Sequence, residues 1–256
     1  PPAPWHYTDD TVMALSVYRC LEEHRGIHRE RLAELFASEY RRDWRRGYGG
    51  TAHSILRAIG EGASWQDAAG SAFSGMGSMG NGGAMRVAPL GAYFADDIDR
   101  LIIEARYSAE VTHAHPEGQS GAIAIAVAAS WAWNYRATGG AVDSRELIEF
   151  VAMHTPPGET QSRIRRGLHI PFDRAPGIVG EMLGNGCGVT SPDTVPLVVW
   201  CAARHIGNYV EALWATASAL GDIDTTCAMV GGIVALSAGN DSIPGEWLAA
   251  SEPLPL

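Results

Sequence analysis

Gly221 to Leu236 read GDIDTTCAMVGGIVAL. Two aspartates and two threonines stand directly against an apolar run rich in small residues. The run carries no polar stripe, so it predicts a helix buried on every side rather than one lying on a surface. Such a helix needs other helices around it, and the chain supplies them. Gly121 to Trp133, GAIAIAVAASWAW, is also apolar all round. In DDIDRLIIEARYSAEV, starting at Asp96, the residues Ile98, Leu101, Ile102, Ala105 and Ala109 fall on one helical stripe. DSRELIEFVAMH offers Asp143 or Ser144 as a cap before Leu147, Ile148 and Val151, and SPDTVPLVVWCAARHIG starts at Ser191, tolerates Pro196 and stops near Gly207. No convincing alternating strand is present, and the linkers are short Gly/Pro pieces such as GSMGNGG, HAHPEG, HTPPGET and GNGCGVTSPD. The expectation is an all-α fold forming a single domain over residues 1–256.

Composition agrees with closely packed helices. Apolar residues make up 46% of the 256 positions and charged residues 19%, which excludes a disordered chain. The net charge is −10. A basic patch, Arg41 to Arg46, is read as a solvated helix face, and no nucleic-acid partner is expected of so acidic a chain. Cys20, Cys187, Cys201 and Cys227 form no CxxC pair. With no signal peptide and no apolar run of the ~20 residues a membrane span needs, a cytoplasmic location is expected and a membrane is not.

Chemistry concentrates in two acidic clusters, YTDDTVMALSV from Tyr7 and GDIDTT from Gly221. Each admits a structural reading: Thr8 or Asp9 caps a helix starting near Asp10, and Asp224 or Thr225 caps a helix running to Ala238. Duplication favours a second reading. Four carboxylates with threonine hydroxyls form a hard-oxygen donor set suited to Mg²⁺, Mn²⁺ or Ca²⁺ rather than Zn²⁺, and adjacent aspartates that diverge suit two ions better than one.

The glycine loop GMGSMGNGGAMR, Gly75 to Arg86, contains GxGxxG. The preceding SWQDAAGSAF reads as helix, not strand, so a dinucleotide fold is not expected. A backbone concavity for a pyrophosphate or ribose competes with a plain interhelical turn. His113 and His115 in VTHAHPEG are read as a cap or core histidines, and Cys187 lacks the partners of a thiol nucleophile.

TDDT, RRGYGGT, GNGGAMRVAPLGA, THAHPEGQSGA and GDIDTTCAMVGGIVAL, in that order over nearly the whole chain, resemble the ADP-ribosylglycohydrolase family. The resemblance implies a single orthogonal helical bundle with a binuclear Mg²⁺ or Mn²⁺ centre at helix N-termini. It implies Thr8, Asp9, Asp10, Asp222, Asp224 and Thr225 as metal ligands, with Asp9, Asp10 and Asp222 catalytic. Ser78, Met79, Gly80, Asn81, Gly82 and His113 match the positions beside the nucleotide, and Arg86 fits either a structural ion pair or ligand contact. Family members usually carry a Gly-rich helix and an acidic residue well before TDDT. The sequence opens at PPAPWHY, so that segment is expected to be absent. Ile223 stands where the family usually has Thr, and GGIVAL replaces a tail richer in Gly and Ala.

The implied reaction is hydrolysis of the bond between C1 of the distal ribose and an acceptor, an arginine N-glycoside, a serine O-glycoside or O-acetyl-ADP-ribose. The expected partner is an ADP-ribosylated protein or an ADP-ribose-containing small molecule. Two other readings stand beside it: a non-catalytic relative that binds metal or nucleotide or serves structurally, and a metal-dependent hydrolase of another nucleotide sugar.

Overall fold

The computed structural model describes residues 2–139 and 141–255; positions 1, 140 and 256, including both ends of the expected domain, lie outside them. Helices α1 (Asp9–His24), α2 (Arg29–Arg42), α3 (Gly50–Gly60) and α4 (Trp65–Gly70) come first. A 3-10 turn at Asn81–Gly83 leads into α5 (Ala88–Tyr93) and α6 (Ile98–Glu110). The 22-residue α7 (Pro116–Ala137) is followed by α8 (Arg145–His154), α9 (Glu159–Gly167) and α10 (Pro176–Leu183). α11 (Ser191–Arg204), α12 (Tyr209–Ser218), α13 (Ile223–Ala238) and α14 (Gly245–Ala250) complete the chain. Among the described residues no strand forms, and the extended pairings are two isolated bridges, Trp5 with Ser251 and Gly80 with Thr190.

The apolar run after Gly121 is the centre of the fold. Every side chain from Gly121 to Ser130 in α7 is buried, and the helix is surrounded by α5, α6, α8, α11 and α13. Small residues set how closely these helices approach. A Cβ added at Gly91 of α5 would fall 2.4 Å from Ala129 Cβ, and one at Gly121 would fall 2.2 Å from Ser191 Oγ. Either addition would force helices apart in a core that tolerates little overpacking. The predicted stripe of α6 behaves as expected, with Leu101, Ala105 and Ala109 fully enclosed.

α13 packs against α7, α12, α11 and α5, and it also meets α1. This places the starts of α1 and α13, from opposite ends of the sequence, side by side. The chain termini hold the arrangement from outside: Trp5 N donates to Ala250 O at 2.7 Å, and Glu252 N donates to Trp5 O at 3.0 Å. Glu252 also accepts from Tyr7 N at 2.9 Å and pairs with Arg46.

Candidate functional site

At the head of α1, Thr8 takes the extended backbone of an N-cap, but its hydroxyl makes no capping bond. It donates instead to Asp10 Oδ2 at 2.5 Å. Thr8 therefore caps α1 by its position and not by its side chain. Asp9 N donates to Arg46 O at 2.7 Å, which fastens α1 to the RRGYGGT segment. In that segment Gly47 sits at φ +97° with the site of a Cβ 3.3 Å from Asp9 Oδ1, so only glycine lets the backbone pass so close.

At the head of α13 the N-cap is Asp222, not Asp224 or Thr225, and it too makes no capping side-chain bond. Asp222 Oδ2 accepts from Asn81 Nδ2 at 2.7 Å, while the same amide nitrogen donates to Thr194 Oγ1 at 3.1 Å. GNGCG, which begins at Gly184, supports the other side of Asp222. Asp222 N donates to Asn185 O at 3.2 Å, and a Cβ at Gly186 (φ +90°) would fall 2.7 Å from Asp222 Cβ. Thr225 is buried and Asp224 exposed.

The two clusters lie within electrostatic reach of one another. Burial, then Asp10, then the charges of Asp224 and Asp222 push the Asp9 carboxyl up to about 7. Asp10 rises to about 6, mainly by burial, with Asp224 and Asp222 adding and the Thr8 hydroxyl opposing. Burial also raises Asp222, helped by its contact with Asp224 and opposed by Asn81. Asp10 Oδ1 is buried without a hydrogen-bond partner. Two buried aspartates repelled by two more accessible ones, with an orphaned oxygen on Asp10, have the donor chemistry and charge that a divalent cation compensates. Among the described residues, no three His, Cys, Asp or Glu side chains by themselves converge on one point as a metal cage. Any such centre therefore needs the threonine oxygens or small side-chain rotations to complete it.

The glycine loop is stitched to the segment before α11. Asn81 N donates to Val189 O at 3.1 Å, Ser191 N to Met79 O at 2.9 Å and Ser191 Oγ to Gly80 O at 3.1 Å. Gly80 N is bound by Ser78 Oγ at 3.1 Å. The expected concavity thus keeps only part of its N–H groups for a ligand, and the Asn81 amide nitrogen is spent within the protein. Met79 extends outward at 38% exposure.

His113 lies beneath this loop, not in front of it. It is buried, and the Cβ positions of Gly80, Gly82 and Gly83 fall 3.3–3.4 Å from its ring. Burial and then Arg86 push His113 down to about 3, so it is neutral. Arg86 Nη2 donates to Thr112 Oγ1 at 2.9 Å, and that hydroxyl is hydrogen-bonded in turn to His113 Nδ1 at 2.7 Å. Arg86 itself forms no ion pair among the described residues. Its guanidinium is fully buried, donates to Ser108 O at 2.6 Å and lies 4.4 Å over the Phe36 ring. Burial lowers it to about 9, with the charge of Asp9 opposing. His115 is the cap the sequence suggested, its Nδ1 accepting from Glu117 N at 3.1 Å. Beside Asp10 a mainly apolar cavity of about 610 Å³ opens between α1, α5 and α13; Ser78 to Gly82 do not line it.

A family model for ADP-ribosylglycohydrolase matches residues 1–253. The chain belongs to the ADP-ribosylglycohydrolase family. Among curated relatives, ADP-ribosylhydrolase ARH3 of Homo sapiens is 29% identical over 279 residues, which covers 96% of this chain and 75% of that protein. The Xenopus tropicalis protein of the same name is 29% identical, with 96% and 77% covered. An uncharacterized Archaeoglobus fulgidus protein is 27% identical over 247 residues. A solved structure titled "ADP-ribosylglycohydrolase-related protein complex" superposes with a TM-score of 0.71 at 25% identity, covering 98% of this chain and 77% of that one. Sequence reasoning missed Gly47, Asn185, Gly186 and Thr194 as supports of the acidic clusters. The density of glycine in GNGCG was the available signal.

Proposed function

We propose that this chain is a metal-dependent hydrolase that releases ADP-ribose from an ADP-ribosylated acceptor. The observation that carries the reading is that the buried Asp9 and Asp10 lie within reach of the charges of Asp222 and Asp224, with one oxygen of Asp10 orphaned. Family membership and relatives named ADP-ribosylhydrolase support the substrate class.

Thr8, Asp9, Asp10, Asp222, Asp224 and Thr225 would hold two Mg²⁺ or Mn²⁺ ions at the mouths of α1 and α13. Bound there, the cations supply Lewis acidity toward the ribose hydroxyls and the attacking water. The chain's own residues do the remaining work. Asp9 takes the proton of the attacking water at its carboxylate, and Asn81 orients Asp222 by its hydrogen bond to Oδ2. The collected negative charge favours a sugar ring that becomes positive as the bond to C1 breaks. The outer surface of Ser78 to Gly82 seats the nucleotide, and His113 supports that loop from below.

The test is direct. Purified protein with Mg²⁺ or Mn²⁺ is offered ADP-ribosyl-arginine and ADP-ribosyl-serine peptides and O-acetyl-ADP-ribose. Free ADP-ribose is expected from at least one, and Asp9→Asn and Asp224→Asn should abolish it without unfolding the protein. Binding of ADP-ribose by the wild type with no turnover of any substrate would instead establish a binding relative.

A further inference from the structure

The end of α2 and the outer face of α3 enclose a second cavity of about 590 Å³, lined by Tyr40, Arg41, Trp44, His53, Arg57 and Glu61. None of these residues belongs to the acidic clusters or the glycine loop. The basic patch expected to be a uniform solvated face is divided by the fold. Arg42 pairs with Glu39 at 2.6 Å, and Arg46 pairs with Asp43 at 3.0 Å and with Glu252. Arg41, Arg45 and Arg57 have no carboxylate within 4.0 Å among the described residues. Three uncompensated guanidiniums on one face of a chain with net charge −10 are a local inversion of its field.

The aromatic groups in the cavity are arranged around the same charges. Trp44 is 56% exposed although it is the largest apolar ring available. Arg45 lies 5.8 Å from its ring centroid, and His53 lies 6.3 Å away at 62°. Tyr40 Oη is hydrogen-bonded to His53 Nδ1 at 2.8 Å, which orients the imidazole and leaves Nε2 without a protein partner among the described residues. Arg41 Nη1 donates to Gly60 O at 3.0 Å, so that guanidinium is fixed across the gap between α2 and α3. The cavity therefore combines an exposed ring for stacking, oriented cations and one carboxylate, within the range of about 300–1,000 Å³ usual for small-ligand sites.

We propose that this cavity binds a nucleoside phosphate, separately from the acidic cluster. The base stacks on Trp44, the phosphate oxygens accept from Arg41 and Arg57, and Glu61 accepts from a ribose hydroxyl or an exocyclic amino group. A single nucleotide suits the site better than a polynucleotide. Arg42 and Arg46, outside the cavity, are already paired with carboxylates, and the acidic remainder of the chain repels a longer polyanion.

The experiment uses the whole chain labelled with fluorotryptophan and read by fluorine NMR without divalent cations. The Trp44 signal among the eight tryptophans is assigned by its loss in Trp44→Ala. ADP should shift that signal saturably with a Kd of about 10–1,000 μM. Arg57→Ala and Arg41→Ala should each weaken the response about tenfold or more, and adenosine and inorganic pyrophosphate should bind about tenfold more weakly than ADP. The side chains at 41, 44 and 57 are exposed, so their variants should fold, and turnover of any substrate of the acidic cluster should be unchanged by their substitution. A Trp44 signal unmoved by ADP overturns the proposal. So does an equal response in the arginine variants, an equal response to pyrophosphate, or a response only to oligonucleotides. A shift relayed to Trp44 from the acidic cluster would persist in Arg41→Ala and Arg57→Ala, so the two sites succeed or fail separately.

Discussion

Asn81 Nδ2 stands 2.7 Å from Asp222 Oδ2, so the glycine loop and the head of α13 form one hydrogen-bonded unit across 141 positions of sequence. The bond aims Asp222 and holds down the rise of its carboxyl. Asn81→Ala should lower kcat/KM about tenfold to a hundredfold, as losses of a group that orients a ligand or base do. The accompanying loss of stability should be about 1–3 kcal/mol, the usual cost of removing a hydrogen bond to a charged group. Denaturant unfolding together with steady-state kinetics measures both. An unchanged kcat/KM would show that Asp222 needs no such guide.

Metal should stabilise this protein by relieving the carboxylates. A cation bound only by the folded state at about 100 times its Kd adds about 2.7 kcal/mol. Thermal melts with and without chelator should therefore separate by several degrees. Asp10→Asn should melt higher than the wild type when both are metal-free, because one of the crowded charges is gone, and should lose the response to Mg²⁺. A melting temperature indifferent to Mg²⁺, Mn²⁺ and chelator would remove the metal centre from the proposal.

Gly186 is where the GNGCG loop touches the site most closely. Its φ of +90° and the 2.7 Å separation of an added Cβ from Asp222 Cβ make Gly186→Ala doubly strained. The substitution should cost about 1–3 kcal/mol of stability and reduce turnover by displacing Asp222. Gly75→Ala is the control, since it also has positive φ (+91°) but no atom within 4 Å of the added Cβ. A Gly186 variant with normal turnover would mean that α13 tolerates movement at its head.

The clasp between the termini should fail in acid. Burial pushes Glu252 up, but Arg46, His6 and the Tyr7 N–H together bring it down to about 2. A depressed carboxylate contributes stability above its unfolded value of 4.5 and loses it as the pH falls from there toward about 2. The melting temperature of the wild type should therefore drop over this window more steeply than that of Glu252→Gln, the two curves converging at the acid end. Parallel curves would refute the assignment.

The buried cation beneath the loop is also open to test. Arg86→Lys keeps the charge but cannot reproduce donation to both Ser108 O and Thr112 Oγ1 with stacking on Phe36. It should destabilise the protein by about 2 kcal/mol. Nitrogen NMR should show His113 as a single neutral tautomer in the wild type across neutral pH, and mixed tautomers in the variant. A wild-type imidazole that becomes charged near its ordinary value of 6.5 would contradict its enclosure beside Arg86.

The all-helical fold was legible because it is written in local periodicity. The stripe from Ile98 to Ala109 and the unbroken apolar runs after Gly121 and Thr225 each specify a helix and how much of it is covered. The acidic clusters could also be recognised as unusual from the residues alone, since two carboxylates and a threonine stood at the mouth of each buried helix. The sequence could not separate capping from clustering, because a capping aspartate and a ligating one have the same neighbours in the chain. That difference depends on where Thr8 donates and on whether Asp222 faces Asn81 or its own helix, and only packing sets these directions. What Arg86 and His113 contact could not be read from the chain for the same reason. An arginine without a carboxylate partner and a histidine under a glycine loop are defined by what surrounds them in space. The patch from Arg41 to Arg46 was read as one surface, yet tertiary pairing neutralises two of its arginines and leaves the others around Trp44. Helix formation is a short-range property that three or four neighbouring residues decide. The meeting of Asp9 with Asp222 is a long-range one, fixed by the packing of α1 and α13 together with α5.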